Sequence, residues 1–153
     1  MPGYSVSTNT SFSAAAASGA AFATFHGNGT RRVRIYQIVV TIQSSPLQAD
    51  IGLTFPNNTP VATTSILNQA LDPADAAGTA NLDTAWSTAP TVSSPVFHGA
   101  VTLGPAIGST YTFNWSADKP FVLGTSVATE WLLIWNIGGA TGPKLDITII
   151  SDE

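Results

Sequence analysis

The sequence predicts an all-β protein, an antiparallel β-sandwich or jelly roll of about eight strands with at most one short helix. Two observations carry this. Short runs of β-branched and aromatic residues recur along the 153 residues, each stopped by a cluster of Gly, Pro, Asn or Ser. Tyr111, Phe113 and Trp115 alternate with Thr110, Thr112 and Asn114, the period of two that a half-buried strand requires.

Taken in order, residues 22–26 are the first strand candidate and run into Gly27-Asn28-Gly29-Thr30, whose residues tolerate positive φ and suggest a hairpin turn. Residues 33–42 form the longest candidate. Ile51, Leu53 and Phe55 alternate with smaller or polar residues until Pro56-Asn57-Asn58. Segments 61–67, 96–103, 110–115, 121–123, 130–137 and 145–150 complete the set. The one helix signal is Asp72-Pro73-Ala74-Asp75-Ala76-Ala77-Gly78: Asp72 suits an N-cap, Pro73 the first helical position and Gly78 the stop. The rest of 72–95 reads as a long connection, of a length usually kept for function or an interface.

Residues 21–153 read as a single domain. Residues 1–20, rich in Ser, Thr and Ala and without charge, read as an N-terminal arm or flexible segment. Within it, 4–13 suits addition to a neighbouring sheet edge.

Two strands are apolar on both faces. In 33–42, Tyr36, Ile38, Val40 and Ile42 would share one face, with Val33, Ile35 and Val39 on the other. In 130–137, Trp131, Leu133, Trp135 and Ile137 oppose Leu132 and Ile134. One face of an antiparallel sandwich is normally wet, so these strands need a second cover: a loop, an arm or another subunit.

Charge is sparse. Only 9% of residues are Asp, Glu, Lys or Arg, against about 25% in typical domains. The net charge of −4 argues against a nucleic-acid surface, which needs a dense basic patch. No apolar run approaches the ~18 residues of a membrane helix, so no membrane role is expected. With so little charge, little keeps copies of the chain apart.

Nothing in the pattern points to catalysis, a cofactor or a metal. Cys is absent. His26 and His98 lack metal-ligand spacing. Asp72, Asp75 and Asp83 lack the calcium-loop pattern. Serines are plentiful, but no Gly-x-Ser-x-Gly elbow occurs. The candidate functional residues are therefore partner contacts. Arg31, Arg32 and Arg34 form a short basic cluster suited to an acidic protein surface. Trp86 sits in the long connection and is the best candidate for an exposed anchor, whereas Trp115, Trp131 and Trp135 suit core packing.

Three segments, in order, resemble a group of small phage virion proteins. They are Arg32-Val33-Arg34-Ile35-Tyr36-Gln37-Ile38-Val39-Val40, then Leu71-Asp72-Pro73-Ala74-Asp75-Ala76-Ala77, then Trp86-Ser87-Thr88-Ala89-Pro90-Thr91. The resemblance spans roughly residues 30–150. It implies a jelly-roll capsid decoration or cement protein that works as a homotrimer on the capsid surface of a tailed bacteriophage. It also implies the major capsid protein as partner, assembly in the host cytoplasm, and no catalytic residues. A glycan- or receptor-binding module of a phage tail or head fibre is the alternative, with Trp86 as its anchor.

Overall fold

A computed structural model describes residues 3–8, 13, 16–93, 96–126 and 130–153. The strands are β1 (Gly3–Ser7), β2 (Ala21–His26), β3 (Val33–Ser44), β4 (Ala49–Thr54), β5 (Val61–Leu67), β6 (Gln69–Ala70), β7 (Asn81–Thr88), β8 (Gly99–Leu103), β9 (Thr110–Asn114), β10 (Phe121–Leu123), β11 (Trp131–Asn136) and β12 (Lys144–Asp152). They form two antiparallel six-stranded sheets packed as a sandwich. The front sheet runs β10-β3-β12-β1-β6, with β9 also paired to β3; the back sheet runs β5-β7-β2-β11-β4-β8. The architecture is the predicted all-β sandwich, built from more strands than expected.

Between the sheets lies one core. Val33, Ile35, Ile38, Val40, Ile42, Leu145, Ile147 and Ile149 of the front sheet meet Phe22, Phe25, Ile51, Leu53, Leu82, Leu132 and Ile134 of the back sheet. At one margin an aromatic chain bridges the layers: His98 lies 5.1 Å from Phe55 and 5.5 Å from Phe121, and Phe121 lies 5.4 Å from Trp115.

Among the described residues no two strands adjacent in sequence are paired. The turn at 27–32 is therefore not a hairpin: it carries the chain from β2 in the back sheet to β3 in the front sheet. Its local chemistry is as expected. Gly29 has φ of 82°, and the Asn28 side chain accepts from the Thr30 amide at 2.9 Å. Local turn signals specify a reversal; which sheet receives the next strand depends on where its apolar face can be buried.

Further expectations are corrected. The segment Gly3–Ser7 is not an arm. It is β1, paired with β12 and with β6, and its alternating Tyr4 and Val6 are buried in the chain's own sandwich. Beyond β1, Thr8 Oγ1 and Ser13 Oγ accept from the Ile147 and Leu145 amides of β12. Ala16 is buried, and its carbonyl accepts from the Gly142 amide. Residues 1, 2, 9–12, 14 and 15 of the expected arm lie outside the described residues.

The helix at Asp72 is a turn. Asp72 Oδ1 accepts from the Ala74 amide at 2.9 Å and its carbonyl from the Asp75 amide at 3.0 Å, and no further helical bonding follows. The long connection 72–95 contains β7, placed centrally between β5 and β2.

The faces of β3 also differ from a simple alternation. Ile35 pairs with Ser151 and Gln37 with Ile150, so Tyr36 is an extra residue. This bulge shifts the phase, and Val33 and Ile35 join Ile38, Val40 and Ile42 on the core face.

Candidate functional site

The outer face of the back sheet carries the densest chemistry. Leu133, Trp131, Trp135 and Ala21 form a second buried cluster there, joined by Trp86 and Val92. Its cover is the connection 89–98, of which 94 and 95 are not described. Asn58 holds this strap by accepting from the Thr91 amide at 2.8 Å and donating to the Ala89 carbonyl at 2.9 Å. Thr91 Oγ1 donates to Asn57 Oδ1 at 2.7 Å, and Thr54 Oγ1 donates to the Val96 carbonyl at 3.0 Å. Phe97 then lies over Gly52, where a Cβ would come within 2.5 Å of its ring; only glycine admits this approach.

Beside the tryptophans sits Asp83, fully buried on β7. Its Oδ2 accepts from Thr24 Oγ1 at 3.1 Å and meets His26 Nε2 at 3.1 Å, and its Oδ1 accepts from Ser65 Oγ at 2.5 Å. The Trp86 indole Nε1 donates to Thr24 Oγ1 at 3.2 Å. His26 stacks on Trp131 with ring centroids 3.8 Å apart. β7 has an extra residue at Thr84, since Asp83 pairs with Ser65 but Ala85 with Thr64. That bulge lets Asp83 and Trp86 act on the same face.

Asp, His, Ser and Thr in one cluster invite comparison with a hydrolytic triad, but the order of contacts is wrong. In a triad the histidine stands between the acid and the hydroxyl. Here the carboxylate stands in the middle, and both histidine nitrogens are engaged: Nδ1 lies 2.8 Å from the Gly27 carbonyl and Nε2 faces Asp83. No ring nitrogen points toward a substrate. The cluster ties β2, β5 and β7 together, satisfying a buried carboxylate that would otherwise oppose folding.

The four expected contact residues do not form one site. Arg31 and Arg32 are exposed ahead of β3. Arg34 lies half-buried in the front sheet, opposite Val122 on β10 and Asp152 on β12. Trp86 belongs to the back sheet, on a strand rather than a loop, and is half-buried. Asp83 is likewise far from the role expected of an acidic loop, being separated from the exposed turn that holds Asp72 and Asp75. Among the described residues, no three His, Asp or Glu side chains are grouped to hold a metal.

Two further polar features belong to the front sheet. Tyr36 donates to Asp152 Oδ2 at 2.7 Å; that bond, with partial burial and the carboxylate's charge, holds the phenol above its usual range, against the opposing pull of Arg34. Glu153 accepts from the Thr79 amide and hydroxyl at 2.6 Å, the Ala80 amide at 2.9 Å and Asn68 Nδ2 at 3.1 Å. Burial pushes its carboxyl up, but these donors outweigh burial and leave it below its ordinary value.

One open cleft of about 390 Å³ lies among Leu47, Gln48, Asp50, Asn136 and the 139–141 turn. Its polar groups are already paired. Asp50 accepts from Gln48 and Thr102, while Asn136 donates to the Ala16 and Ala140 carbonyls and accepts from Gly138.

The Asp83 cluster leaves no signal in the sequence, because Asp83, His26, Thr24 and Ser65 lie up to 59 residues apart and meet only through strand pairing. Set against known protein families, curated proteins and solved structures, the chain has no match in any of the three comparisons.

Proposed function

We propose that this chain is a structural virion protein that decorates or cements the capsid of a tailed phage and stabilises the assembled head. Its partners would be the major capsid protein and further copies of itself, as a homotrimer on the capsid surface. The ordered resemblance of the 32–40, 71–77 and 86–91 segments supports this reading. The observation that carries it on the structural side is the nature of the outer surface. Large apolar side chains at Leu47, Val61, Leu71, Val96 and Ile107 are 46 to 71% exposed on a chain with few charges. On the outer face of the back sheet, Asp83, His26, Thr24 and Ser65 are engaged with one another.

The mechanism is mass action. A subunit that binds the assembled shell but not its separated parts lowers the free energy of the shell by its binding free energy. Several copies joined together add avidity. The alternative glycan-binding reading rested on Trp86 as an exposed stacking platform; here the indole is packed against the Trp131 cluster and bonded to Thr24.

Copy counting by mass spectrometry of purified particles tests the proposal. The expected result is a copy number comparable with that of the major capsid protein, and heads lacking this protein that break at lower temperature or lower salt. A handful of copies confined to tails would overturn the head assignment and revive the receptor-binding reading.

A further inference from the structure

We propose that β5 is a self-pairing edge: two copies of this chain join β5 to β5 antiparallel about a twofold axis near Thr64, fusing their back sheets into one. This goes beyond the capsid reading, since it needs a second copy and no shell.

A strand at the end of a sheet presents unpaired N–H and C=O groups, and proteins normally blunt such edges. The edges of this sandwich differ sharply. β6 has two residues and β10 three. β8 has five, and it leans against β9 of the other sheet. β5 has seven residues, Val61-Ala62-Thr63-Thr64-Ser65-Ile66-Leu67, with no charge, no proline and no glycine. Five of them are exposed, including Val61 at 51% and Leu67 at 42%. Its blunting is partial: it lies beside β1 of the front sheet at one place, the Leu67 carbonyl accepts from Gln69 Nε2 at 3.1 Å, and its pairing with β7 is irregular, with Thr63 in β5 and Thr84 and Ser87 in β7 each an extra residue.

The occupant is argued from the strand itself. A twofold interface presents the same surface from both subunits, so it must be self-complementary. Reversed about Thr64, this strand places Val61 against Leu67, Ala62 against Ile66, Thr63 against Ser65 and Thr64 against its own copy. Apolar meets apolar at the ends and hydroxyl meets hydroxyl at the centre, the cross-strand pairs that favour an antiparallel ladder. No charge on β5 repels its copy. The threefold contact implied by the resemblance would use another surface, so β5 pairing doubles whatever assembly that contact makes.

Thr64 is exposed, so it accepts a charge without disturbing the core. Light scattering on the full chain should give the wild type twice the mass of Thr64→Lys and twice that of Thr64→Glu, with unfolding midpoints retained. An equimolar mixture of the two variants should return to the wild-type mass, because Lys then meets Glu across the axis. Equal masses for wild type and either folded variant, or a mixture that stays at the single-variant mass, would overturn the proposal. Neither result bears on particle copy number, so the capsid reading stands or falls separately.

Discussion

The outer faces of β3 and β11 began from similar sequences and ended in different surroundings. Both strands read as apolar on two sides. β11 is buried at every position, because Trp86 of β7 and Val92 of the connection that follows it pack against Trp131, Leu133 and Trp135. β3 alternates buried and half-exposed residues instead. Its outer face is a polar one, where Gln37 donates to Asn114 and Thr41 bonds Thr110. The Tyr36 bulge gave the core five of the apolar residues of β3 and left Val39 among hydroxyls. An apolar strand therefore does not by itself demand a second layer. A local register change can remove the need, and a long connection can meet it.

The sharpest test of this contrast uses the polar groups. Asp83→Ala removes the buried carboxylate that Thr24, Ser65 and His26 share on the back face and should cost about 3–5 kcal/mol, the scale for breaking a buried charged network. Gln37→Ala on the front face should stay within about 0.5 kcal/mol, as for an exposed substitution. Urea unfolding of both variants measures the difference, and similar losses would erase the distinction between the faces.

The apolar groups give the next largest effect. Leu133→Ala should lose about 2–5 kcal/mol by opening a cavity beneath the strap. Val39→Ala, half-exposed, should lose less than about 1 kcal/mol. If the two losses matched, the strap would not be a true second layer.

A pH series sharpens the picture where the sheets meet. Glu153 receives donors from 68, between back-sheet β5 and front-sheet β6, and from 79–80, between β6 and back-sheet β7. Its folded pKa is lowered from an ordinary value of 4.5. The stability it supplies is thus fully present above that value and is lost as pH falls through the folded one. Glu153→Gln should be less stable than wild type at neutral pH, and the gap in melting temperature should close on acidification. A gap that does not change with pH would mean the carboxylate's charge plays no part.

The smallest effect belongs to the exposed turn. Asp72→Ala removes one acceptor for the Ala74 amide and should cost about 0.5–1 kcal/mol, the low end for a lost cap. A melting temperature raised by several degrees in millimolar calcium would show that Asp72 and Asp75 hold a cation instead.

The sequence by itself determined the class and most of the strands. Nine of the twelve strands among the described residues lie where β-branched and aromatic runs end at turn residues, because burial of alternate side chains leaves its period in the chain. β6 and β7 were not legible, and β1 was legible only as part of a segment suited to a neighbouring sheet edge, not as a strand of the chain's own sandwich. β6 is two residues long, β1 hides in a Ser-rich stretch, and β7, Asn81-Leu82-Asp83-Thr84-Ala85-Trp86-Ser87-Thr88, carries few β-branched residues and a buried aspartate. Sequence named Trp86 and the arginines as separate candidates. Tertiary structure alone decided that Arg34 and Trp86 belong to opposite sheets, and that Asp83 meets His26, Thr24 and Ser65. The physical reason lies in the pairing. Since no adjacent strands pair among the described residues, every strand pairing joins distant segments, and single-residue bulges such as those at Tyr36 and Thr84 reset which side chains share a face. Neither effect leaves a mark on the local pattern.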